Sequence, residues 1–126
     1  MSLRMLPVGI AIVGAVFFVG FGLWAFFGAQ SFFDSVATFE PYNEHFIHDI
    51  GAFQIGLGAA LALAAWRRAD ALMAVLAGAE IGSAVHAAAH LQDHHLGGKD
   101  SDAVIFGLVA IVLLAGAALR LRAQAL

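Results

Sequence analysis

Four of the six histidines in this chain fall within "AVHAAAHLQDHH", Ala84 to His95, and the other two within "EHFIHD", Glu44 to Asp49. Imidazole is the commonest metal ligand and titrates close to neutral pH. Two such concentrations therefore point to metal, haem or proton chemistry. His86 and His90 are four residues apart, the spacing that sets two imidazoles on one side of a helix where both can reach one ion. His94 continues that stripe, Ser83 lies on its line, and Glu80 stands a turn further along at its edge. Upstream, Glu44 with His48 and His45 with Asp49 repeat the interval and form two adjacent stripes. Gln54, on the same apolar segment, points away from both.

The donors are imidazole and carboxylate without sulfur. Cysteine is absent, and Met1, Met5 and Met73 belong to the other end of their segments. That supply suits zinc, Cu(II) or non-haem iron better than a soft Cu(I) carrier. The expected ligands are His48, His86 and His90, with His45 and Asp49 as ligands or supports and His94 as a further ligand. His95 and Glu44 read more simply, as a solvated histidine and a helix N-terminal acid. Glu80 is expected to be a proton-transfer group or a support for a ligand, because a carboxylate deep in an apolar helix costs about 2.5–3.5 kcal/mol without a partner. An ion with an open position would act as a Lewis acid or redox centre, which would make the chain an enzyme. The Glu-x-x-His spacing of di-iron bundles is missing, since Glu44 to His48 is one residue wider.

Three other readings use the same residues. A b-type haem for electron transfer would need histidines across the bundle from each other, His48 facing His86 or His90, in a cavity walled by "GAFQIGLG" and "GAEIGSAVHAAAH". A proton-conducting or pH-sensing bundle would use the line from Glu80 to His94. Alternatively, the chain is a small subunit of a larger membrane complex.

The elements that position these groups follow from composition. Of 126 residues, 62% are apolar and 12% charged, against roughly 45–50% and about 25% in a soluble domain. Mean hydropathy is +0.89. Apolar runs at about 5–29, 46–66, 71–93 and 102–119 are each long enough to cross a bilayer. Short links make them one all-α domain over 1–126, an up-down-up-down four-helix bundle. Pro7 is tolerated in the first helical turn. The first run is too long for a signal peptide, and Phe27 sits where a cleavage site needs a small residue. Asp70 is the expected cap of the third span, and "LGGK" at Leu96 to Lys99 breaks it.

Arg4, Arg67, Arg68, Arg120 and Arg122 gather at one end, leaving Lys99 alone at the other. The positive-inside rule then predicts a multi-pass protein of the cell (inner or plasma) membrane with both termini cytoplasmic. All the histidines fall in one extracytoplasmic layer, so the two runs are expected to face each other across spans two and three. Between spans one and two, "SFFDSVATF" predicts a short amphipathic helix on the outer membrane surface, capped by Ser31 with Asp34 and ended by Pro41. Glycine-rich helix faces, including "GAEIG" at Gly78 to Gly82, permit close packing inside the subunit, in a homo-oligomer or in a larger complex. A net charge of −3 without basic runs argues against nucleic acid, and no glycine fingerprint for nucleotides is present.

"HAAAH" and "HLQDHH" resemble the histidine boxes of membrane fatty-acid desaturases and hydroxylases, which would imply a di-iron oxygenase. The second box has one residue too many, and the boxes would lie on the extracytoplasmic side, so the likeness does not make a family member. The four-span layout is similar to small bacterial membrane proteins of the DoxX-like kind, an architectural likeness that implies no activity.

Overall fold

Helices dominate the computed structural model, which describes residues 5–67 and 71–124; Arg4, Arg68 and the Asp70 cap lie outside them. Helix α1 runs Leu6–Phe27, α2 Ala29–Ser35, α3 Glu44–Arg67, α4 Ala71–Gln92 and α5 Asp102–Gln124, with a 3₁₀ turn at His94–Leu96. Helices α1, α3, α4 and α5 are long and apolar enough to cross a membrane. This is a multi-pass, all-α four-helix bundle, as the apolar runs predict. Large apolar side chains such as Val16, Phe53, Trp66, Val85 and Ile111 project outward, the reverse of a soluble bundle's surface.

The helix ends have local causes. Pro7 occupies the first turn of α1, where no internal donor is lost. Asn43 caps α3: its Oδ1 accepts the N–H of Phe46 at 3.1 Å, satisfying a first-turn donor and starting the helix at Glu44, two residues before the apolar run. Helix α5 passes through Arg120 and Arg122, because apolarity marks the bilayer-crossing length and not the helix end.

Helix α1 packs chiefly on α3 and α4 chiefly on α5, and α1 meets α5 to close the bundle. Glycines draw α1 and α3 together. A Cβ on Gly51 would stand 2.8 Å from the carbonyl oxygen of Gly22, and one on Gly58 would stand 2.9 Å from that of Ala15. Only hydrogen fits at those crossings. This seam fixes the rotation of α3 about its own axis.

The main core lies toward the end carrying Arg67 and Arg120, around Ala11, Phe18, Leu61, Leu72, Leu76 and Leu113. A second, smaller core at the histidine end joins Ala25, Ala29, Phe32, Phe33 and Ile47. Phe32 and Phe33 belong to α2, which begins earlier than its sequence pattern suggests. Its apolar side packs into the bundle, and Ser31 and Asp34 do not form the expected capping box. Instead the Ser31 hydroxyl donates to the Gly28 carbonyl at 3.0 Å and accepts from Trp24 Nε1 at 2.8 Å, pinning the corner between α1 and α2. Asp34 accepts from Gln30.

Candidate functional site

Between the two cores lies a cavity of about 290 Å³, its wall made largely of phenylalanine: Phe17, Phe21, Phe32, Phe39, Phe46 and Phe106. His86 and His90 supply one polar wall, with Asp102 and Asp93 beside them, and Gln54 lines it from α3.

The histidine wall is built from two helices. On α4, the four-residue step places His86 and His90 one above the other, with their Nε2 atoms 3.1 Å apart. On α5, the same step places Phe106 one turn beyond Asp102. The Phe106 ring stacks on His86 with centroids 3.8 Å apart, and lies nearly parallel to His90 at 5.4 Å. One aromatic face therefore fixes the tilt of both imidazoles.

Asp102 is only 8% exposed. Its Oδ2 accepts the backbone N–H of Lys99 at 2.8 Å and stands 3.9 Å from His90 Nδ1. A buried carboxylate needs such partners, and the first turn of α5 adds a favourable dipole. A carboxylate on that side favours the His90 tautomer with its proton on Nδ1; in that tautomer Nε2 is the acceptor of the His86–His90 contact and His86 the donor.

The ends of the bundle close over this wall. Phe39 sets its ring 5.9 Å from His90. Gly97 and Gly98, at φ 141° and 82°, pass beneath it, and a Cβ on Gly98 would come within 2.8 Å of Phe39 Cζ. Glycine is needed here both for the left-handed backbone and for the close approach. Lys99 Nζ donates to the Ser35 carbonyl and ties this turn to the end of α2.

The other expected ligands lie elsewhere. The expectation that His48 faces His86 and His90 is corrected: its ring packs on Phe26 of α1 at 5.1 Å, beside Glu44 at 3.9 Å. The glycine seam is the reason. His48 is one turn from Gly51, on the side of α3 that α1 claims. The side of α3 turned to the cavity carries Ile47, Ile50 and Gln54, so Gln54, expected to point away, lines it. His45 pairs with Asp49 at 3.6 Å, both well exposed. Helix α4 stops at Gln92, so His94 leaves the stripe and sits in the 3₁₀ turn with its ring against His95. Among the described residues no three His, Cys, Asp or Glu side chains are grouped to hold a metal ion. His86 and His90 are the only histidines lining the cavity, so no described histidine stands across it as a haem clamp would need.

Glu80 does not join the cavity either. It is half-buried and makes no hydrogen bond or ion pair with another described residue. Ser83, its expected neighbour, donates to the Ala79 carbonyl of its own helix at 2.8 Å.

Asp102, Phe106 and Gln54 are the site residues that spacing alone missed. Asp102 was within reach: it opens the fourth span at the level where the third span carries its histidines. Phe106 carries no sequence signal that separates it from lipid-facing neighbours, whereas Gln54 is a polar residue in an apolar span that its phase against His48 turned away from the site. No family model, curated protein or solved structure matches the chain. The chemistry of the cavity is therefore the ground on which function is read.

Proposed function

We propose that this protein is a membrane-embedded binding protein for a small, largely apolar molecule that enters from the bilayer and is held against His86, His90 and Asp102. The observation that carries this reading is the phenylalanine-lined cavity of about 290 Å³ with its polar groups gathered on a few positions. Mostly apolar walls with a few placed polar groups are the usual form of a small-molecule site. An engineered apolar cavity of about 150 Å³ accepts benzene, so a substituted ring fits here. The arginine distribution supports a cavity in the outer half of a cell-membrane bundle with both termini cytoplasmic.

The test is thermal denaturation of the purified protein in nanodiscs with a series of alkylbenzenes. The wild type should be stabilised, and Ala89→Trp, which fills the cavity from α4, should keep its fold and lose the effect. A wild type that none of the series stabilises overturns the proposal.

A second reading is a single zinc, copper or iron ion on His86 and His90. Its support is their Nε2 separation of 3.1 Å, short enough for both to bind one ion at about 2.0–2.1 Å. Asp102 against the far nitrogen of His90 resembles the support that metal-bound histidines receive. In this version His45, His48, Asp49 and His94 take no part. Elemental analysis decides it: equal metal content in the wild type and in His86→Ala/His90→Ala sinks the idea.

A further inference from the structure

Glu80 stands near the middle of α4, Ala71–Gln92, and is the only Asp, Glu, Lys or Arg in that helix. It lies outside the cavity and makes no hydrogen bond or ion pair with another described residue. Ionisable side chains at that depth are rare and almost always meet a partner, because lipid tails cannot solvate the charge. With none inside the bundle, the partner of Glu80 has to come from outside it.

Glu80 is half-buried, and the four-residue step carries its side of α4 through Ala84 to Ala88, both exposed. Two small side chains in line with it let another helix backbone come close, and the carboxylate specifies what that helix must carry. The complement of a carboxylate is a cation. This chain has none to offer at that level: its lysines and arginines are Arg4, Arg67, Arg68, Lys99, Arg120 and Arg122, all outside the four apolar runs. His86 and His90 are taken up by the cavity wall. A second copy in the same orientation would bring another Glu80 to this one, like charge against like. On these grounds we propose that α4 docks, through Glu80, Ala84 and Ala88, against a transmembrane helix of a different protein that carries a lysine or arginine at mid-depth. None of these three residues lines the cavity, so the inference stands independently of the ligand reading.

For the test, Ala123→Cys gives the full chain a single cysteine for a fluorescent donor, in vesicles of zwitterionic phosphatidylcholine. The probe is an acceptor-labelled peptide of about 20 alternating leucines and alanines with one lysine at its centre, compared with its twin bearing leucine there. Energy transfer should show the lysine peptide binding about tenfold more tightly than its twin, the worth of one polar contact between helices in lipid. Glu80→Gln, which removes the charge and keeps the size, should bring the two peptides to nearly equal binding. No preference for the lysine peptide in the chain that keeps Glu80 overturns the proposal, whether or not Glu80→Gln folds. A preference that Glu80→Gln retains overturns it too. Energy transfer between donor- and acceptor-labelled copies of the chain, lost in Glu80→Gln, would make a second copy the occupant and overturn it as well.

Discussion

Asp102 shows how one side chain can organise a site without standing at its centre. Its carboxylate accepts the Lys99 N–H, which holds the start of α5, and it stands 3.9 Å from His90 Nδ1, where it favours a proton on that nitrogen. Asp102→Ala should lower stability by about 1–3 kcal/mol, the cost of leaving a buried donor unpaired. The readout is the thermal midpoint in nanodiscs, and a midpoint equal to wild type would show that the carboxylate is not structural. His48 makes the opposite prediction. Because it rests on Phe26 away from the cavity, His48→Leu should leave alkylbenzene stabilisation and metal content unchanged. Loss of either would mean that α3 is turned the other way. Both residues sit at the same end of the bundle, and the one with the less conspicuous sequence context is the one at the site.

At the scale of elements, rotation of α3 decides what the cavity sees. Gly51 and Gly58 dock against α1 so closely that no other residue fits, and everything on their side of the helix, His48 included, goes with them. Gly58→Leu should cost about 1–3 kcal/mol through overpacking against Val19 and the Ala15 carbonyl. Gly56, on the same helix, has nothing within 4 Å of an added Cβ. Gly56→Ala should be neutral or stabilise by up to about 1 kcal/mol through helix propensity. Comparing the two thermal midpoints tests the seam: equal effects would place it elsewhere. The spans themselves were legible because bilayer thickness demands a long apolar run. The partner of each helix face was not, because glycine, alanine and leucine serve equally well against lipid or against another helix. The reading of α2 failed for the same reason: Phe32 and Phe33 make an apolar side that suits a membrane surface, yet they pack into the bundle.

For the molecule as a whole, the charge distribution predicts an orientation that can be checked cleanly, because the chain has no cysteine of its own. Ser35→Cys, at the histidine end, should react with a membrane-impermeant maleimide added to intact cells. Ala123→Cys, beyond Arg122, should react only after permeabilisation. The reverse pattern would invert the bundle and move the cavity to the cytoplasmic half. Dense packing toward the arginine end and an open space at the other form a consistent division, with a rigid base beneath a site framed by both helix pairs.

The sequence by itself determined the bundle: four long apolar runs, short links and no means of hydrogen-bonding the backbone except as helices. It also determined the His86–His90 pair, because two residues four apart on one helix need no tertiary partner to meet. Tertiary structure alone decided what surrounds that pair. His48 was excluded and Gln54 admitted by glycines that lock α3 against α1, and Asp102 and Phe106 were brought in by the packing of α5 on α4. The first kind of contact depends on a helical repeat written into the spacing. The second depends on which of several similar apolar faces packs most closely, a competition that local pattern does not record.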